Sequence, residues 1–415
     1  MIKKDYIEKD SILLDGKEPY PTSLRGINWI KFLSKNNISE SVINQSLYNH
    51  YQRLLHSLEY HLLGNHLLEN GFSLLFGAYY FKDEVLYKKA KKLLKAELNE
   101  QILKDGAHYE LSPMYHQILF FRLLDCINLL KLNPWKQDDL FVFLEKKAEK
   151  MLTWLFAITF RNGNIPMVND STYNIAPESK ELFNYAKFLG IAMKEVTLLD
   201  SGYRMFRKSK YELLTDVGDI CSMYQPGHTH SDIFNFELYA KEKPVIIDKG
   251  TSTYEKNNLR QKERSTFSHN TIKIKDKEQT EVWGGFRVGK RAKIVFLDEN
   301  DHKVSATHNG YKNLGILHTR EFNTEDDKVI IKDSFTNGEG VEKKAFFHFH
   351  PKIKAVEIIN NSVSLSQRKI RMDFDGNIDN IRLESYEYAL GFNKRMQAKK
   401  IVVIFKKNLT TTIKI

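Results

Sequence analysis

The segment Gly227-His228-Thr229-His230-Ser231-Asp232 sets two imidazoles and a carboxylate within a few residues, opening the strand-like run Ile233 to Leu238. On a strand, residues two apart share a face, so His228 and His230 point the same way. Imidazoles grouped like this exchange protons near neutral pH or bind metal ions. Asp248 ends the apolar run Val245-Ile246-Ile247, and His269 stands in Ser268-His269-Asn270-Thr271 ahead of another strand. His230, Asp248 and His269 make a two-nitrogen, one-oxygen zinc set that leaves His228 free for chemistry. The competing reading is a series of separate strand-end groups bonded to their own loops.

Two further groups lie in the first half of the chain. Gly64-Asn65-His66-Leu67-Leu68-Glu69 places an amide, an imidazole and a carboxylate within about one helical turn. His66 and Glu69 are three apart, so the carboxylate can orient the ring, although an ordinary solvated helix start reads the same way. Asp105 to His116 is dense in titratable rings (His108, Tyr109, Tyr115, His116) around Glu110, at a loop-to-helix junction. Ser112 suits an N-cap there and Pro113 a first turn. Tyr115 serves equally well as a core tyrosine. A third group, Gly250 to Tyr254 followed by Arg260 and Arg264, pairs guanidinium groups with a phenol, which suits carboxylate or sulfate binding or simply surface charge.

The elements that must hold these residues change character near residue 200. From Leu24 to Leu189 apolar residues recur at three and four, as in Leu54, Leu58, Leu62 and Leu119, Leu123, Cys126, Leu130, predicting six or seven helices. Successive helical hairpins of this kind are the unit of an (α/α) toroid. From Ser201 the period becomes two, in stretches such as Phe234 to Tyr239, Thr271 to Ile274 and Lys328 to Asp333, predicting an antiparallel β-sandwich. The expected domains are 1–198, helical, and 199–415, sheet.

Composition narrows the class. A 42% hydrophobic and 12% aromatic content, with 9 prolines and 21 glycines in 415 residues, excludes disordered and collagen-like chains. Apolar runs such as Phe72 to Phe81 fall short of the roughly 18 residues of a membrane span, and the N-terminus has no apolar signal stretch. Cys126 and Cys221, each without a nearby partner, read as buried small hydrophobes. The net charge of +11 points to an anionic partner or to a solvated lysine surface. With no basic stripe interleaved with aromatics and no recognition module, nucleic acid is not expected as a partner.

In order along the chain, Asn65-His66, Glu110-Leu-Ser-Pro-Met-Tyr115-His116, Gly227-His-Thr-His230-Ser-Asp, Asp248-Lys-Gly-Thr-Ser-Thr-Tyr254 and Arg264-Ser-Thr-Phe-Ser-His269-Asn-Thr resemble the heparinase II/III family of polysaccharide lyases and its alginate-lyase relatives. The resemblance implies an incomplete N-terminal (α/α) toroid followed by a C-terminal antiparallel β-sandwich, with the cleft between them. It also implies β-elimination at a uronic acid residue of an acidic polysaccharide. On this reading Asn65 and His66 neutralise the uronate carboxylate as an oxyanion hole does. Tyr115 is the proton donor to the leaving oxygen, in some members also the base, His228 the catalytic histidine and Tyr254 a second active-site tyrosine. Glu69, His116, Arg260 and Arg264 are expected on the substrate. His230, Asp248 and His269 match positions that hold a structural zinc in some members, and no organic cofactor is expected.

Two features depart from the familiar lyases. The first matched motif comes after only 64 residues, so the chain reads as shortened at the front, cytoplasmic if complete and periplasmic if truncated. Pro19 to Leu33 is similar to the branch found with bacterial surface-polysaccharide assembly genes. Two rivals follow: a glycan-binding or assembly factor that performs no chemistry, and a toroid-fold glycoside hydrolase drawing its two carboxylates from Glu69, Glu110 and Asp170.

Overall fold

The computed structural model describes residues 15–220 and 224–415, so Cys221 lies outside the described residues. Seven helices come first: α1 (Pro19–Lys35), α2 (Ser41–His56), α3 (Gly64–Phe81), α4 (Glu84–Gln101), α5 (Pro113–Leu132), α6 (Leu140–Ile158) and α7 (Ser179–Phe188). Their starts follow local chemistry. Asp83 caps α4 by accepting the backbone N–H groups of Val85 and Leu86, and Leu86, Ala90, Leu93, Leu94 and Leu98 form the buried stripe behind it. That stripe meets α3 closely: a Cβ on Gly71 would stand 2.5 Å from Leu93 Cδ2 and 3.0 Å from Leu94 Cδ2. Cys126 is fully buried on α5, as expected.

Strands follow: β1 (Tyr203–Arg207), β2 (Tyr211–Asp216), β3 (Phe236–Ala240) and β4 (Lys243–Ile246), then the short α8 (Asn258–Arg264). The rest of the chain forms β5 (Ile272–Ile274), β6 (Val282–Trp283), β7 (Arg287–Val288), β8 (Ile294–Asn300), β9 (Lys303–His308), β10 (His318–Thr324), β11 (Lys328–Phe335) and β12 (Lys343–His348). It closes with β13 (Glu357–Ile359), β14 (Ser362–Leu365), β15 (Ile370–Gly391) and β16 (Lys394–Lys414). One sheet runs β1-β2-β3-β4; a second, of ten strands, runs β13-β14-β15-β16-β11-β10-β9-β8, with β12 attached to β16 and β5 to β12.

Residues two apart on these strands face the same side, and the two sheets share one core. Leu213, Phe236 and Leu238 from the smaller sheet join Phe322, Ile331, Phe347, Ile401 and Val403 from the larger. This is the order expected from the change of period, helices and then an antiparallel sandwich. No helix among the described residues is long and apolar enough to cross a membrane.

The chain divides into two compact units that do not follow that change of period alone. One comprises residues up to His108 with Gln117–Thr153 and Glu181–Lys194; the other takes Tyr109–His116, Trp154–Lys180 and Glu195–Ile415. The first turn of α5, with Tyr115, therefore belongs to the same unit as the two sheets.

Candidate active site and metal centre

In the sheet-bearing unit the chemistry gathers around His228. The Tyr115 and His228 rings lie 4.0 Å apart between centroids, and the Tyr115 hydroxyl donates to the Tyr254 hydroxyl at 3.2 Å. Ser112 caps α5 as expected, its Oγ accepting the Tyr115 N–H at 3.3 Å while donating to the Asp170 carbonyl at 2.8 Å. The residue before it, Leu111, has φ 54°, a left-handed conformation that a bulky side chain adopts only under constraint. The constraint is visible: Leu111 O accepts the Tyr203 hydroxyl at 2.7 Å and Asn169 Nδ2 at 3.0 Å. These bonds hold the turn from which α5 and Tyr115 begin.

Asp170 organises the group. Fully buried, it takes His228 Nδ1 at 2.9 Å, His230 Nε2 at 2.8 Å, the Thr251 hydroxyl at 3.0 Å and Arg260 Nη2 at 2.6 Å, with Arg260 Nη1 on its other oxygen. Burial opposes its charge, but the Arg260 guanidinium and the two imidazoles outweigh that and hold the carboxyl well below the usual range. An ionised carboxylate only accepts hydrogen bonds, so His228 carries its proton on Nδ1 and His230 on Nε2. The Nε2 of His228 stands 3.6 Å from Glu110 Oε2. Tyr254 is pushed above the usual phenol range by burial and by the charge of Asp170, which keeps its hydroxyl protonated.

The same tautomer argument applies to a second group of buried imidazoles and carboxylates, which could hold a metal ion. Burial pushes His230 down to about 3, so its ring is neutral and its Nδ1 is a lone pair, buried without a hydrogen-bond partner. Asp248, held below the usual range despite burial by the His269 ring, accepts His269 Nδ1 at 2.7 Å, Asn235 Nδ2 at 2.6 Å and the Gly250 N–H at 3.0 Å. His269 Nε2 is left buried without a partner, as is Asp232 Oδ2. Ligand atoms of Asp232, Asp248 and His269 lie within 4.8 Å of one another, and the His230 and His269 rings are 5.2 Å apart. The His230 lone pair, the unpartnered His269 Nε2, on a ring that Asp248 holds above the usual imidazole range despite burial and that a cation would deprotonate, and an unspent carboxylate oxygen would suit a nitrogen- and oxygen-ligated divalent ion, with Asp170 and Asp248 holding the rings from behind. Asp232 thus groups with two of the expected residues, Asp248 and His269, and the His230 ring lies beside the latter. Both oxygens of Asp248 already accept N–H donors, so Asp232 offers the free one.

Other expected residues lie behind the site. Arg260 is fully buried on Asp170 and on the Gly285 carbonyl at 3.0 Å, and Arg264 is buried on the carbonyls of Thr229 at 3.0 Å and Gly285 at 2.9 Å. Instead of facing a ligand, Arg264 braces the backbone between His228 and His230, and Arg260 braces Asp170, which holds their rings. His116 is fully buried with its ring 4.5 Å from that of Trp154.

In the helical unit, Asn65 and His66 open α3 after Leu63 and Gly64, both at positive φ (57° and 56°). The expected pairing of His66 with Glu69 is corrected. His66 Nδ1 meets Glu59 Oε1 at 3.0 Å, and Glu69, fully buried, pairs with Arg122 Nε at 2.8 Å. The helix turns Glu69 inward, where burial outweighs Arg122 and raises its carboxyl to about 7. Glu59, eleven residues before its partner Asn70, gave no local signal, and neither did Asp170 in its coil.

The family model described as Heparinase II/III N-terminus matches residues 22–191, and that described as Heparinase II/III-like, C-terminal, matches residues 194–415. A heparin-sulfate lyase of Bacteroides stercoris is 25% identical over 363 residues, 80% of this chain and 52% of the relative. One of Bacteroides thetaiotaomicron is 25% identical over 301 residues, 61% of this chain and 41% of the relative. The chain thus spans about half the length of the curated relatives it matches. A crystal structure of heparinase III superposes with a TM-score of 0.77 at 16% identity, covering 99% of this chain and 72% of that one, which shows a shared fold.

Proposed function

Since the chain belongs to the heparinase II/III family, we propose that it is a polysaccharide lyase that cleaves a uronate-containing acidic chain by β-elimination. The observation that carries this reading is the cluster of Tyr115, Tyr254 and His228, with the His228 tautomer fixed by an ionised Asp170. The His228 Nε2 lone pair takes the C5 proton, and the resulting imidazolium is stabilised through Nδ1–H by Asp170. As the C5 carbanion collapses, the C4=C5 double bond forms and the C4–O4 bond breaks. The Tyr115 hydroxyl protonates O4, and Tyr254, kept neutral, steadies the phenolate left on Tyr115. Return of the proton from His228 to Tyr115 closes the cycle. The Asn65 amide and the His66 ring, with Glu59 on its Nδ1, are the groups we assign to the uronate carboxylate.

We also propose a zinc ion held by His230 Nδ1, His269 Nε2 and Asp232 with Asp248 beside them. The three orphaned atoms support this. Such an ion would supply positive charge to buried acids and tie the loop before β3 to the loop before β5. Metal analysis of the purified protein should return about one equivalent of zinc, reduced in Asp232→Ala, and a chelator should lower Tm.

The activity is tested by incubating the protein with heparan sulfate, chondroitin sulfate, hyaluronan, alginate and bacterial capsular polyuronates while following near-ultraviolet absorbance of the unsaturated product. Absorbance should rise with at least one polymer and be lost in Tyr115→Phe and His228→Ala. A flat trace with all of them sinks the reading. Binding that survives both substitutions without any product would favour an assembly factor instead.

A further inference from the structure

We infer that the β6–β7 hairpin is the binding surface for one acidic pyranose ring, with Phe286 and Trp283 under the apolar face of the ring and Arg287 and Lys256 on its anionic substituents. The inference deepens the lyase reading and rests on it for the ring's place beside His228.

The hairpin is small and stiff. Trp283 pairs with Arg287 and Val282 with Val288, around a turn in which Gly284 (φ 59°) and Gly285 (φ 82°) both take left-handed conformations. Its turn carbonyl, Gly285 O, accepts Arg260 Nε and Arg264 Nη1, the two buried guanidinium groups that hold Asp170 and the Thr229 carbonyl beside His228. Arg260 also lies 5.3 Å over the Phe286 ring. The hairpin and the acid–base group are therefore held by the same two side chains, so a ring docked on one is registered against the other.

Phe286 stands edge-on to His228 with 6.1 Å between ring centroids, and 5.4 Å from Tyr254. Beside two proton-transfer groups it still leaves 42% of its surface exposed, and Trp283 on the same hairpin leaves 46%. Single exposed apolar residues are ordinary; two aromatic side chains on one braced hairpin, Phe286 beside the catalytic group and Trp283 over Gly289, offer a stacking surface. The C–H face of a pyranose is apolar and matches such a surface, whereas its hydroxyls and charges point outward around the rim.

At the turn the rim chemistry selects an acidic ring, while the Glu281 carboxylate lies beside Trp283 at the far end of the hairpin. Arg287 and Lys256 are both exposed, and the side chains of both come within 3.9 Å of the position a Cβ would take on Gly284, from the hairpin itself and from the segment before α8. A guanidinium and an ammonium flanking one turn complement a carboxylate or sulfate at the edge of a stacked sugar. A neutral glycan or a protein strand would leave these charges without a counterpart.

The test separates this inference from the lyase reading by measuring binding without turnover. In a Tyr115→Phe background, hexasaccharides of heparan sulfate, chondroitin sulfate and alginate are titrated by calorimetry and by quenching of tryptophan fluorescence. At least one should bind. Phe286→Ala and Trp283→Ala should each weaken it about tenfold, a typical loss for one stacking contact, while Phe286→Tyr keeps the affinity. Arg287→Ala with Lys256→Ala should flatten the dependence of affinity on NaCl. In the active protein Phe286→Ala should raise KM by a similar factor. If hexasaccharides bind and these losses appear but no polymer is ever cleaved, the hairpin site stands and the lyase reading falls. If cleavage proceeds but Phe286→Ala and Trp283→Ala leave affinity and KM unchanged, the hairpin site is wrong. It is equally wrong if no hexasaccharide binds at millimolar concentration, or if the hairpin captures only protein.

Discussion

Asp170 holds two imidazoles, a guanidinium and a hydroxyl at once, across sequence separations of 58 to 90 residues. No local pattern announces it, because its partners meet it only after folding; the sequence offers it merely as a spare carboxylate for a hydrolase. The opposite holds for Ser112 and Pro113, whose roles at the start of α5 depend on neighbours within one turn and were legible. Asp170→Asn keeps the size but turns one acceptor into a donor, so His228 loses the partner that fixes its tautomer. We expect kcat to fall on the order of 10³-fold or more, with some loss of stability because Arg260 is left buried without its counter-charge. Nitrogen NMR of the His228 ring alongside kcat checks this; an unchanged tautomer with unchanged kcat would remove Asp170 from the mechanism. Glu69 gives a prediction of different sign. Its carboxyl rises from 4.5 to about 7 on folding, chiefly through burial, so the folded state holds the proton more tightly than the unfolded one. Its contribution is full below about pH 4.5 and is lost as pH rises through 7, a change of roughly 3 kcal/mol. Glu69→Gln should flatten the fall in Tm between pH 5 and pH 8, whatever the substitution does to Tm itself; equal slopes in the two proteins would show that the shift is absent.

At the scale of elements, the site is set by turns under strain. Leu111 (φ 54°), Asn169 (φ 53°) and Phe234 (φ 69°) are non-glycine residues in left-handed conformations, each beside a site residue, at a cost of about 1 to 3 kcal/mol apiece. Long-range donors hold two of them: Tyr203 and Asn169 on the Leu111 carbonyl, and Arg320 Nη1 on the Phe234 carbonyl at 2.9 Å. Such positions read as ordinary coil in a sequence, since a leucine or phenylalanine does not advertise positive φ. The change of period near residue 200 was legible because burial repeats along every helix and strand. The membership of Tyr109–His116 in the sheet-bearing unit was not, because it follows from contacts with residues more than fifty positions away, such as that of Ser112 with Asp170. Two glycines of that unit separate strain from crowding. A methyl group added at Gly163 (φ 90°) would meet nothing within 4 Å, whereas a Cβ on Gly202 (φ 78°) would fall into the backbone of Gly218. Gly163→Ala should therefore cost about 1 kcal/mol, from backbone conformation alone. Gly202→Ala should cost several times more, because backbone cannot swing aside as a side chain can. Urea unfolding of the two variants checks the ranking, and equal costs would show that the contact between Gly202 and Gly218 yields easily.

For the whole molecule the open question is what a net charge of +11 does. Many of its cations sit opposite acids of the chain itself, as Lys91 does with Asp138 and Asp139 or Lys328 with Glu325, and exposed pairs of this kind are worth little. The surplus therefore acts as a field over the surface, reaching roughly 8 to 10 Å at physiological salt, rather than as a set of contacts. A field of that kind hastens the encounter with a polyanion and leaves the bond-breaking step alone. On the lyase reading, raising NaCl from about 50 to about 500 mM should lower kcat/KM on a polymeric substrate by roughly tenfold or more through KM, with kcat at saturation nearly constant. A tetrasaccharide, which touches few charges beyond Arg287 and Lys256, should lose less. Michaelis series at four salt concentrations with both substrates decide the matter. If kcat/KM on the polymer does not respond to salt, the surplus lysines serve solvation only, and recognition of the acidic chain rests wholly on the site.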